Sequence, residues 1–141
     1  MTMVEKVFEK AITDTSPEFV KVYNQAHRAE QDGLDLICGA GYRRALEFLV
    51  KDYAKKKNPG KDDEIEKKLL GRCIADYIDH PSVKAIAARA TWLGNDETHY
   101  VRKWEAKDLQ DLKHLIELTT HWISLDLLSA EVVKDMPDPK A

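Results

Sequence analysis

In the stretch Leu34-Asp35-Leu36-Ile37-Cys38-Gly39-Ala40-Gly41-Tyr42-Arg43-Arg44-Ala45-Leu46-Glu47-Phe48-Leu49-Val50-Lys51-Asp52-Tyr53-Ala54-Lys55-Lys56, the apolar side chains recur at residues 34, 37, 38, 42, 45, 46, 49, 50 and 53. Steps of three and four are the period of an α-helix, and a stripe this broad belongs to a helix covered on more than one side. It is therefore expected to be the central helix, 34–56. Lys55-Lys56-Lys57 places cations at the negative end of its dipole, and Asn58-Pro59-Gly60 turns the chain.

Outward toward the N-terminus, Gly33 marks a stop, and Ser16-Pro17-Glu18 reads as a helix start: a capping hydroxyl, a proline in the first turn, then an acid. Phe19, Val22, Tyr23, Ala26 and Ala29 then recur at helical spacing. Residues 1–15 read as a leader with a short helix around 4–12. Toward the C-terminus, Asp62 is expected to cap a third helix running through Ile65, Leu69, Leu70, Cys73, Ile74, Tyr77 and Ile78. His80-Pro81-Ser82 breaks it, and an alanine-rich helix is expected over 83–93. The last helix is expected over 107–130, with 131–141 as a frayed tail. No segment alternates with period two. The expectation is an all-α bundle of about four to five helices, with one domain over 16–130.

Composition narrows the function classes. Lys plus Arg total 22 and Asp plus Glu total 25, for a net charge of −3, so bulk charge does not drive the chain to nucleic acid or anionic membranes. No stretch has the length of a membrane span, and a cytoplasmic location is expected. Cys38 and Cys73 lie in apolar helical patterns and read as reduced core residues. There is no CxxC pair; His114 and His121, seven apart on one helix face, are too sparse for a metal site. Neither a metal nor a cofactor is expected.

Three groupings could carry chemistry. Leu93-Gly94-Asn95-Asp96-Glu97-Thr98-His99-Tyr100 clusters groups that can bind phosphate and move a proton. Histidine is the natural proton-transfer residue near neutral pH, and Asn95 could fix its tautomer. The same residues also suit a plain interhelical turn, with Gly94 as a left-handed stop and Asn95 or Asp96 capping the next helix. Gly39 and Gly41 lack the strand and third glycine of a dinucleotide turn and read as a notch for a neighbouring element. Beside them Arg43 and Glu47, at i,i+4, can pair or reach a ligand phosphate. Trp92, Tyr100, Trp104 and Trp122, interleaved with Arg102 and Lys103, could stack a base or line a core or subunit interface.

Tyr23-Asn24-Gln25-Ala26, Ala29-Glu30, Tyr42-Arg43-Arg44-Ala45-Leu46-Glu47-Phe48-Leu49 and the 93–100 motif occur in this order. Together they resemble a domain-of-unknown-function family of the HEPN (higher eukaryotes and prokaryotes nucleotide-binding) clan, found alone or fused to restriction and phage-defence proteins. The resemblance implies a helical bundle that forms a homodimer, with the polar motifs near a two-fold cleft. Many HEPN proteins are metal-independent ribonucleases with an Arg, four to six intervening residues and then a His. His99 matches that histidine, but the positions where the Arg would fall are Trp92, Leu93 and Gly94. The resemblance therefore implies a HEPN-like domain that is non-catalytic or degenerate, binding nucleotide, RNA or a protein partner in a defence or stress system. Two alternatives stay open. One is a ribonuclease using His99 and Asn95 with Arg89 or Arg43. The other is a purely structural dimerisation module. Arg43, Glu47, Arg102 and Trp104 are the candidate ligand-binding residues.

Overall fold

The structure is a computed structural model and describes residues 4–99 and 107–140. Among the described residues there are seven helices and no strand: α1 (Lys10–Thr15), α2 (Pro17–Gln31), α3 (Asp35–Lys57), α4 (Asp62–Lys67), α5 (Leu70–Tyr77), α6 (Pro81–Asp96) and α7 (Leu109–Asp135). The count exceeds the expected four to five for two reasons. A short helix precedes α2, and the expected third helix is broken into α4 and α5.

α3 is the axis of the bundle: α1, α2, α4, α5, α6 and α7 all pack on it, α2 most extensively. Its buried side chains include Cys38, Tyr42, Ala45, Leu46, Leu49, Val50, Tyr53 and Ala54. α2 begins as the sequence indicates. Pro17 occupies its first turn, and the Ser16 hydroxyl accepts the Phe19 amide at 3.3 Å. It ends in a Schellman turn, with Gly33 at φ +78°. The Leu34 amide donates to the Ala29 carbonyl and the Gly33 amide to the Glu30 carbonyl, which satisfies carbonyls the helix end would orphan.

Several boundaries differ from expectation, among them those of α6, which runs Pro81–Asp96 rather than 83–93. Residues 4–9 are not helical: the Asn24 side chain accepts the Lys6 amide at 2.7 Å and donates to the Lys6 carbonyl at 3.1 Å. Phe8 then packs edge-on against Phe19 and Tyr23. α4 stops at Lys67 because the Lys51 ammonium, inserted from α3, takes the carbonyls of Glu66 (3.0 Å) and Lys68 (2.6 Å). Asp62 lies inside α4 rather than capping it, since the N-cap is Lys61. α7 runs past residue 130 to Asp135; it starts at a capping box in which Asp108 and Asp111 each accept the other's amide. No described helix is long and apolar enough to cross a membrane.

Candidate functional site

Residues 93–96 of the motif are the last turn of α6, and 97–99 form the turn that follows it. Gly94, Asn95 and Asp96 are helical, and Glu97 caps the helix in right-handed conformation. Gly94 is therefore not a left-handed stop, and Asp108, rather than Asn95 or Asp96, caps α7, the next helix among the described residues. The glycine has another use. A Cβ on it would meet Arg43 Cγ at 2.6 Å and Arg43 Cβ at 3.1 Å, so α6 rests on α3 at this point. A Cβ on Gly39 would in turn meet the Glu97 side chain, with Oε2 at 2.5 Å and Cβ at 2.9 Å. One glycine on each helix thus lets α3 and α6 cross closely. Gly41 does the same toward α2, where its Cβ would lie 3.0 Å from Ala26 Cβ.

The crossing assembles a polar chain on α3. Arg43 Nε donates to Asn95 Oδ1 at 3.3 Å, and Arg43 also pairs with Glu47. Glu47 pairs at 2.8 Å with Lys51. Burial disfavours a charged Glu47, but the hydrogen bonds from Lys51 and Arg43 outweigh it and hold the carboxyl below its ordinary range. Arg43, Glu47 and Lys51 stand at i,i+4 steps, so one face of α3 carries alternating charge from the α6 end to the α4 end. The sequence indicated the first pair. Lys51 was missed, because nothing local shows that its ammonium turns inward onto carbonyls of another helix.

Glu30, on α2, joins three helices. It accepts Tyr42 Oη at 2.6 Å, Lys113 Nζ at 3.0 Å and Gln110 Nε2 at 3.1 Å. Burial opposes its ionisation, yet these donors lower its pKa. Burial and the Glu30 carboxylate together push the Tyr42 hydroxyl far above the ordinary tyrosine range. Both groups are used up in holding α2, α3 and α7 together.

A groove lies between α6 and α7. It encloses about 360 Å³ and is lined by Arg89, Trp92, Leu93, Lys107, Asp111, His114 and Leu115. Arg89 donates to the Ala85 carbonyl at 2.9 Å, and its guanidinium lies over the Trp92 ring at 5.3 Å. Trp92 is 44% exposed. A flat, partly exposed indole beside Arg89 and Lys107 can stack a base and attract a phosphate, an attraction that Asp111 on the same lining opposes.

The structure thus joins Arg43, Glu47 and Asn95 in one cluster and Arg89 with Trp92 in another. His99 is exposed beyond the end of α6, where its amide donates to the Asp96 carbonyl at 3.3 Å. Among the described residues, its side chain makes no hydrogen bond to Arg43 or Arg89. Tyr100, Arg102, Lys103 and Trp104 lie outside the described residues. Lys107 and His114 were not linked to a base-binding site from sequence. His114 stood out only as a sparse metal candidate, since its nearness to Arg89 depends on how α7 crosses α6. His121 sits elsewhere, 3.4 Å from Glu9. Trp122 packs on His80, whose Nδ1 accepts the Val83 amide at the start of α6. Cys38 and Cys73 are buried and free.

No protein-family model, curated protein or solved structure matches this chain.

Proposed function

We propose that this chain is a HEPN-like helical module that binds RNA or a nucleotide in the α6–α7 groove and does not cleave RNA. The observation that carries the binding half is the exposed Trp92 ring with the Arg89 guanidinium over it, in a groove that also holds Lys107 and His114. Stacking on an indole suits any base, and the cations supply a salt-dependent attraction to phosphate. The absence of cleavage is argued from Arg43. Its charge is engaged by Glu47 and its Nε by Asn95, so both are already used at the α3–α6 crossing. Arg89 is drawn to Trp92 and the Ala85 carbonyl. A ribonuclease of this kind needs a base and a phosphate clamp converging on one ribose. The cytoplasmic defence or stress setting and the homodimer rest on the sequence resemblance; light scattering of the purified chain checks the dimer.

The test is a titration of the purified chain with a labelled single-stranded RNA and, separately, with a nucleoside monophosphate, reading tryptophan quenching and anisotropy. Trp92→Ala should weaken binding by about 5- to 100-fold, the worth of one stacked base. Unchanged binding in Trp92→Ala would reject the groove. In EDTA, wild type and His99→Ala should leave structured RNA equally intact. Cleavage by wild type that His99→Ala abolishes would reinstate the enzyme.

A further inference from the structure

We propose that the C-terminal half of α7 docks an amphipathic helix of a protein partner whose apolar face is bordered by lysine or arginine. α7 buries Leu112, Ile116, Thr119 and Ile123 against the bundle. At 100° per residue, Leu125, Leu128 and Val132 fall on the opposite side of the helix, and Met136, its C-cap, follows four residues after Val132. They step by three, four and four residues and stand 55%, 48%, 59% and 76% exposed. An exposed apolar stripe on a helix is a face that a partner can cover. The bundle covers the first face as far as Leu127, and residues 128–135 are exposed on every side. The second is a continuous stripe rather than scattered surface leucines.

The charges beside the stripe select the occupant. On the same projection Glu131 and Asp135 border one edge of the stripe, one turn apart. Ser129 and Val133 border the other edge, and Lys134 projects from the far side of the helix. The border is thus acidic on one edge and uncharged on the other. Helices that pair through apolar stripes set their flanking charges against each other, which makes the border a filter for partners. A second copy gains nothing from it. Antiparallel copies bring like edges together, and a two-fold axis at Val132 would set Glu131 within two residues' rise, about 3 Å along the axis, of Asp135 in the other copy. Parallel copies would face the acids with Ser129 and Val133 and form no ion pair. A helix with basic residues beside its apolar face pairs with Glu131 and Asp135 while covering the stripe. Leu125 lies roughly 16 Å along α7 from His114, so the α6–α7 groove stays open when the stripe is occupied.

The test uses two synthetic helical peptides with the same leucine stripe, one flanked by lysines and the other by glutamates. Each carries a fluorescent label, and anisotropy is read on titration with the purified full chain. The lysine-flanked peptide should bind at least about 10-fold tighter than the glutamate-flanked one. Glu131→Lys with Asp135→Lys should invert that preference. Leu128→Glu with Val132→Glu should weaken binding of the lysine-flanked peptide by about 100-fold, although it adds negative charge. Both sites are exposed, so circular dichroism should show unchanged helicity. Leu36→Glu, at the exposed start of α3, should have no effect. Absence of binding, or equal binding of the two peptides, overturns the proposal. So does tighter binding by the Leu128/Val132 variant, which would mean attraction by bulk charge alone. Sedimentation velocity in which wild type dimerises and that variant does not would assign the stripe to a second copy and likewise overturn it.

Discussion

The Cβ that Gly94 lacks would stand 2.6 Å from Cγ of Arg43 and 3.6 Å from its Cα. The obstructing atoms are at the root of the Arg43 side chain: Cγ moves only with the whole side chain about χ1, and Cβ, at 3.1 Å, is fixed by the backbone. Gly94→Ala should therefore cost about 1–3 kcal/mol, the range for overpacking a tight contact. Gly71 in α5, with nothing within 4 Å of its would-be Cβ, is the internal control. Gly71→Ala should stabilise by about 0.5 kcal/mol through the unfolded chain. Urea melts of the two variants should move in opposite directions.

Ser16 does two jobs. Its hydroxyl accepts the Phe19 amide and donates to Asp52 Oδ2 at 2.5 Å. Ser16→Ala removes the cap of α2 and the donor to a half-buried carboxylate. A loss of at least about 1 kcal/mol is expected in chemical denaturation.

Burial raises the Asp52 pKa, and the Ser16 hydrogen bond only partly offsets it. A carboxyl raised in the folded state opposes folding at neutral pH and ceases to as the pH falls through its folded pKa. Asp52→Asn keeps an acceptor for Ser16 and removes the buried charge. It should melt above wild type at neutral pH, with the gain shrinking in acid.

The opposite sign applies to Glu47, Glu30 and Asp126, each held below its ordinary value. In all three burial works against ionisation and is outweighed, by Lys51 and Arg43, by Tyr42 and Lys113, and by Tyr53 and Lys57 respectively. Native carboxyls with lowered pKa bind fewer protons than unfolded ones wherever the unfolded groups are still titrating. Their stabilisation is complete above the ordinary carboxyl range and is lost as pH falls through the folded values. Wild type should lose stability progressively below about pH 4.5. Glu47→Gln should be less stable than wild type at neutral pH, with the two denaturation midpoints converging in acid.

The Arg43–Asn95 bond is a side-chain link between the α3 motif and the end of α6. Asn95→Ala should cost about 1–2 kcal/mol, since it leaves Nε of a half-buried guanidinium without its acceptor. A double-mutant cycle with Arg43→Ala should show coupling of about 0.5–2 kcal/mol, and a value near zero would mean that the contact contributes nothing.

The sequence by itself determined the helical class and several boundaries: the Ser16-Pro17-Glu18 start, the Gly33 stop, the 34–56 periodicity and the Pro59-Gly60 turn. Those signals are local, set by the residue's own backbone preference or by partners within one helical turn. Tertiary structure decided the rest. Gly94 can end a helix or admit a neighbour, and only the approach of Arg43 selects the second. Lys68 could have continued a helix, but the ammonium of Lys51, distant in sequence, takes the carbonyls at that point. The candidate site divides the same way. The Arg43–Glu47 pair was legible as an i,i+4 spacing. The engagement of Arg43 by Asn95, and the meeting of Arg89 and Trp92 with Lys107 and His114, depend on where α6 crosses α3 and α7. Residue spacing along one helix does not fix that crossing; the shapes and charges of the facing helices do.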